Sequence, residues 1–202
     1  MSKIDYKKQL KELYTGKKGV FNIIEIPKNK YLQIHGSGNP NTNPSYKAAV
    51  EALYTIAYSA KFICKKSEQD FVVMPLEGLW YADDNDLFHC REKDKWKWTM
   101  LIMMPPFVTE YIFKEAVDTA KKKKDNAKID EVFFREYDEG LAVQTLHVGS
   151  YDAETPVIAS MHEYVLQQGY KLTGLHHEIY LSNPNTVAAE KLKTIIRQPI
   201  AR

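Results

Sequence analysis

A chain of 202 residues can bury a substantial core, either as one large domain or as two closely packed repeats. With 44% apolar residues, and 28 Lys and Arg against 26 Asp and Glu, the formal charge is +2, which excludes a wholesale polyanion binder and a disordered chain. The absence of any apolar run of about 18 residues, with alternating charge in the opening residues, predicts a cytoplasmic protein with no membrane span and no secretory leader.

Residues 1–15 carry a helical pattern, with Ile4, Leu10, Leu13 and Tyr14 set among lysines and a stop at Gly16. One such helix is too little for a DNA-reading helix-turn-helix. Residues 20–26 read as a strand closed by Pro27, and 31–35 as the next strand after a Lys28-Asn29-Lys30 turn. The stretch 36–44 is the most loop-like in the chain. Its glycines could cradle a phosphate, but no Lys-Ser/Thr follows, and a plain loop feeding a helix is the simpler reading.

Residues 45–66 form the first long helix, with Ala49, Leu53, Ile56, Ala57, Ala60 and Ile63 at three- and four-residue steps and Cys64 in the core. A strand over 71–81 leads to the acidic turn 82–86, which lacks the glycine and closing glutamate of a calcium loop. Cys64 and Cys90 have no zinc spacing and stay reduced. His89 and Cys90, as strand neighbours, point to opposite faces and do not make a base and nucleophile. No metal and no cofactor is expected.

The best-marked strand is 95–104, where Trp96, Trp98, Met100, Ile102 and Met104 share one face. That stripe either packs or lines a cavity. Residues 108–124 form a second helix whose four terminal lysines suit the negative end of the helix dipole, so no nucleic-acid contact is expected. A strand over 129–137, a turn at Gly140, a strand over 142–151, a helix over 156–168 capped by Gly169 and a strand over 172–181 follow. The tail 186–202 is amphipathic as far as Pro199 and is expected to pack across the sheet.

Two stretches run in parallel. Aligning 73–81 with the segment around Tyr180 sets Trp80 on Tyr180, Leu79 on Ile179 and Gly78 on Glu178, and upstream 31–58 matches 142–167. Each copy has a strand, a turn with Gly38 or Gly149, a helix opened by Pro44 or Pro156, and a strand ending in aromatics. This predicts an α+β fold of tandem β-α-β-β repeats with pseudo-two-fold symmetry, an antiparallel sheet and a central ligand cleft. Repeat one covers about residues 20–125, preceded by the helix over 1–15, and repeat two covers about 129–202, within one domain of 1–202. On the last strand, period-two alternation sends His176, Glu178 and Tyr180 to one face and leaves His177, Ile179 and Leu181 to pack.

The segments 95–109, 177–184 and 191–199 resemble the GyrI-like small-molecule-binding proteins, in particular the stand-alone GyrI-like hydrolases. The resemblance implies the effector-binding fold of multidrug-responsive regulators, with Glu178 at the position of the cleft glutamate. Some members of the subgroup hydrolyse the cyclopropane of DNA-alkylating natural products. It implies Glu178 as base or water-positioner and Tyr180 as its orienting partner. With strand phase it also suggests Trp80, Trp98 and Tyr151 as aromatic walls, with Gly78, Met100 and His176 beside the ligand. The partner would be a hydrophobic or cationic aromatic small molecule, and the protein a monomer or homodimer. The alternatives are a non-catalytic multidrug binder or a topoisomerase-interacting binder.

Overall fold

The computed structural model describes residues 3–82 and 92–202. The acidic stretch 83–86 and the pair His89 and Cys90 lie outside the described residues. Helix α1 covers only Tyr6–Gln9 and passes into a 3-10 turn at Lys11–Leu13, well short of a helix over 1–15. The reason is local: Ile4 is committed to extended pairing with Phe71, with Ile4 N donating to Asp70 O at 2.9 Å and Val72 N to Ile4 O at 2.8 Å.

Two compact units divide the chain: Met1–Gln9, Asn29–Met74 and Gly78–Tyr137 form the first, and Leu10–Lys28, Pro75–Glu77 and Asp138–Arg202 the second. The first contains β2 (Asn29–Ser37), α2 (Pro44–Lys66), most of β3 (Leu76–Tyr81), β4 (Lys97–Met104), α3 (Glu110–Lys123) and β5 (Phe133–Tyr137). Its strands lie in the order β3-β4-β2-β5. The second contains β1 (Asn22–Ile26), β6 (Gly140–Val148), α4 (Thr155–Gln167), β7 (Lys171–Leu172), β8 (His176–Tyr180) and β9 (Lys193–Ala201). Here the order is β1-β6-β9-β8, with β7 on the far end of β9. Each unit therefore carries a β-α-β-β run in an α+β fold. Strands β1 and β5 are exchanged: β1 leads into β2 but pairs with β6, and β5 leads into β6 but pairs with β2.

In the first unit Asn43 caps α2, its side chain accepting from Ser45 N at 2.9 Å with Pro44 in the first turn. The face of α2 carrying Ala49, Leu53, Ile56, Ala60 and Cys64 is fully buried, as the periodicity requires. Strand β4 is buried on both faces from Trp98 to Met104, so Leu101 and Met103 pack on one side while Met100 and Ile102 pack on the other. The lysines closing α3 are solvent-exposed, and Lys121 and Lys124 pair with Asp130 and Glu51.

In the second unit, two elements differ from the expectation. The strand over 172–181 is two pieces, β7 and β8, because Gly174 turns the chain at φ +57°. The tail is not an amphipathic segment laid across the sheet. Its 193–201 portion is β9, hydrogen-bonded between β6 and β8. The β-branched run Thr194, Ile195 and Ile196 favours that strand, and the spacing of Lys191, Lys193 and Arg197 imitates amphipathicity although Arg197 is buried. Helix α4 packs Met161 and Val165 against Val143, Ile196 and Ile200, which fixes one face of the β6-β9-β8 surface as its core side.

Candidate functional site

The register of the second unit sorts its polar residues. Reading across β6, β9 and β8, one row holds Gln144, Arg197 and His177, and the next row holds Thr145, Ile196 and Glu178. Successive rows face opposite ways. The face of Ile196, already under α4, is the face of Glu178 and Tyr180.

On that face the side chain of Glu178 keeps 14% exposure and that of His176 keeps 5%. Glu178 is therefore nearly desolvated but reachable. The Tyr180 hydroxyl donates to Glu178 Oε2 at 2.8 Å, and His176 Nε2 lies 3.2 Å from Oε1. Because a carboxylate only accepts, that contact assigns the proton to Nε2. A third group comes from outside the strand: Glu154, just before α4 and only 3% exposed, also acts on Glu178. Burial pushes the Glu178 carboxyl up, and His176, Tyr180 and Glu154 outweigh it, leaving the group below its ordinary value. The Tyr151 ring meets Tyr180 edge-on, with centroids 5.6 Å apart. Burial first, then the charges of Glu154 and Glu178, raises the Tyr151 phenol to about 12, so it stays protonated. His147 Nε2 donates to Ser150 O at 3.0 Å and so holds the turn that delivers Tyr151.

The opposite face corrects the expectation that His177 simply packs with Ile179. His177 is fully buried as part of an ionic cluster, with Nδ1 2.8 Å from Glu139 Oε1 and Nε2 3.0 Å from Glu77 Oε2. Both ring nitrogens donate, which makes the ring an imidazolium. Burial alone would lower its pKa, but the Glu139 charge and hydrogen bond, then those of Glu77, raise it to about 9. Burial likewise pushes Glu139 up, and His177 and Arg197 bring it down to about 2. Arg197 donates to Glu139 at 3.0 Å, to Gln144 and to Leu13 O, while the Tyr14 hydroxyl donates to Glu77 at 2.9 Å. Every described donor of this cluster ends on a defined acceptor, so it locks segment 12–15 over β6, β9 and β8.

Of the site residues expected from sequence, His176, Glu178, Tyr180 and Tyr151 come together in the second unit. Gly78, Trp80, Trp98 and Met100 all lie in the first. Trp98 and Met100 have no exposed surface, and Trp80 keeps 5%. Trp98 lies over Gly36, opposite it in the β2-β4 register, so closely that an added Cβ there would sit 2.0 Å from a ring carbon. Tyr46 stacks on Trp80 at 6.1 Å and meets Trp98 edge-on at 5.2 Å, and Trp96 meets Trp80 at 5.7 Å.

Sequence reasoning missed Glu154, Glu77, Glu139, Arg197 and Trp96. One step further back in the repeat alignment does set Glu77 on His177, the two residues that hydrogen-bond, so that signal was within reach. Among the described residues no group of His, Cys, Asp and Glu could hold a metal ion, and no helix is long and apolar enough to cross a membrane.

A family model for the GyrI-like small molecule binding domain matches residues 20–201. An uncharacterized conserved protein from Listeria innocua superposes with a TM-score of 0.91 at 37% identity, over 98% of this chain and all of the other. A hydrolase from Listeria innocua gives 0.87 at 36% identity over 98% of this chain and 100% of that one, and a second hydrolase from that organism gives 0.90 at 35% over 99% and 100%. No curated protein matches the chain in sequence. A match across nearly the whole chain, from β1 to β9 with the helices between them, makes this protein a member of the GyrI-like small molecule binding domain family.

Proposed function

We propose that the protein is a hydrolase of hydrophobic, electrophilic small molecules, cyclopropane-bearing alkylators among them, and that it protects the cell by opening them with water. The observation that carries this reading is the Glu178 carboxylate, nearly buried, held by Tyr180 and His176 and still reachable. The two Listeria innocua hydrolases at 35% and 36% identity support the reaction class. Glu178 takes a proton from a water as that water's oxygen bonds to the electrophilic carbon, and the strained carbon–carbon bond breaks with its electron pair leaving toward the acceptor. Tyr180 and His176 hold the anion oriented, and Tyr151, edge-on to Tyr180, offers aromatic surface for a flat substrate.

The rival is a binder without turnover, in which Glu178 supplies only counter-charge to a cationic aromatic ligand. Glu178→Gln separates the two. The hydrolase reading expects the variant to bind a cyclopropane-bearing alkylator as the wild type does while hydrolysis, followed as ring-opened product by mass spectrometry, falls about 100-fold or more. Unchanged turnover removes Glu178 from the mechanism; loss of binding of a cationic ligand with no turnover in either protein favours the binder.

A further inference from the structure

Helix α2 has two unlike faces. Ala49, Leu53, Ile56, Ala60 and Cys64 are sealed in the core, whereas the other face turns large aromatic rings outward. Tyr58 keeps 48% exposure and Phe62 keeps 50%, and Tyr54, half-buried, meets the Tyr58 ring with centroids 6.4 Å apart. Aromatic side chains are enriched at protein interfaces, and a row of them held in water gains hydrophobic free energy when a partner covers it.

The order of residues along this row names the partner. Tyr54 lies four positions before Tyr58 and Phe62 four after, while Glu51 lies seven before and Lys65 seven after. At 3.6 residues per turn all five fall within about 40° of one line along the helix. Glu51 and Lys65 are both exposed. A second α2 laid antiparallel, with Tyr58 against Tyr58, therefore sets each Tyr54 beside the other copy's Phe62 and each Glu51 beside the other copy's Lys65. The parallel alternative sets Glu51 on Glu51 and Lys65 on Lys65, and like charges oppose it. Glu51 meets Lys124 through Oε1, at 2.8 Å, so its other oxygen can accept from a second ammonium.

From this symmetry we propose that the exposed face of α2 is the contact between two copies of this chain, an antiparallel helix pair about a two-fold axis at Tyr58. Lys123, whose ammonium lies 5.9 Å from the Phe62 ring centre, borders the contact from α3. An anionic bilayer is the rival occupant, because lysines flank the row. A carboxylate within the row opposes such a surface, and a bilayer gives no reason for the symmetric order. The contact stands apart from the hydrolase reading.

Sedimentation velocity on the full chain, over an about hundredfold range of concentration, tests the proposal. The mass is expected to rise toward twice 23.4 kDa as concentration increases. Tyr58→Glu is expected to hold the protein at the monomer mass, because the two-fold axis brings its two carboxylates together. The position is exposed, so the far-UV circular dichroism should not change. Reversing charges tests the register apart from the rings. Glu51→Lys alone and Lys65→Glu alone are each expected to weaken dimerisation about tenfold, and the double variant to restore it. A chain monomeric at every concentration would overturn the proposal. So would a dimer that survives Tyr58→Glu, or charge reversals whose effects simply add, since either puts the contact elsewhere. Binding of the monomeric chain to phosphatidylglycerol vesicles, lost in Tyr58→Glu, would overturn it in favour of a bilayer.

Discussion

Tyr180 gives the Glu178 anion one of its donors at 2.8 Å, and the physical worth of that hydroxyl is measurable. Tyr180→Phe removes a hydrogen bond to a charged group, and the remaining burial then pushes the Glu178 carboxyl upward. A group whose pKa rises is protonated over a wider acid range, so the acid limb of the kcat/KM profile should move to higher pH, with a fall of roughly tenfold near neutrality. A steady-state pH profile checks both, and a shift of the limb to lower pH would contradict the assigned hydrogen bond. Gly36 offers a second test at this scale. Its backbone is ordinary, but the Trp98 ring occupies the space of a side chain, so Gly36→Ala forces the indole aside. The expected cost is about 1–3 kcal/mol in a denaturation experiment, with a shifted tryptophan emission. The pairing of Gly36 with Trp98 was not legible in the sequence, because it depends on the β2-β4 register rather than on either residue.

At the scale of elements, β8 and β9 present opposite chemistry on their two faces. That Glu178 and Tyr180 share a face followed from period-two alternation alone; that this face is the one under α4 did not, and comes from the packing of Ile196 against the helix. His177 obeyed the same rule but was misread, because an imidazole on an inward face looks like a satisfied core residue until its partners are known. Those partners, Glu77, Glu139 and Arg197, come from three separated stretches, and only folding joins them. Arg197 was hidden by the lysines before it, which made a central strand look amphipathic. Glu154 was hidden by an ordinary pattern, acid ahead of a helix, that usually means capping. Truncating one member of the buried cluster leaves the others charged and unpaired. Arg197→Ala should therefore destabilise by about 3–5 kcal/mol, measured as the urea midpoint at constant slope, and also free segment 12–15 to proteolysis. A loss under about 1 kcal/mol would mean that water reaches the cluster.

For the molecule as a whole, the β-α-β-β order of both units was readable from punctuation: Pro44 and Pro156 opening helices, Gly169 closing one, and proline after β4. The exchange of β1 and β5 was not, since either could have paired with its own repeat. The ionic cluster also sets how stability depends on pH. His177 is raised from 6.5 to about 9, so its contribution is complete below 6.5 and is lost as pH climbs through about 9. Glu139 is lowered from 4.5 to about 2, so its contribution is complete above 4.5 and is lost as pH falls toward 2. Stability should thus be greatest between about 4.5 and 6.5 and decline on both sides, with the alkaline decline removed in His177→Gln. Denaturant midpoints across that range would show it, and a midpoint still rising from 6.5 to 9 would contradict it. The central claim, water added at the Glu178 site, is tested most directly by incubating the wild type with an excess of a cyclopropane-bearing alkylator in heavy-oxygen water and weighing the product. The account predicts many turnovers per protein of ring-opened product carrying one oxygen from the solvent. Tight binding at one ligand per chain with the ring intact would contradict it.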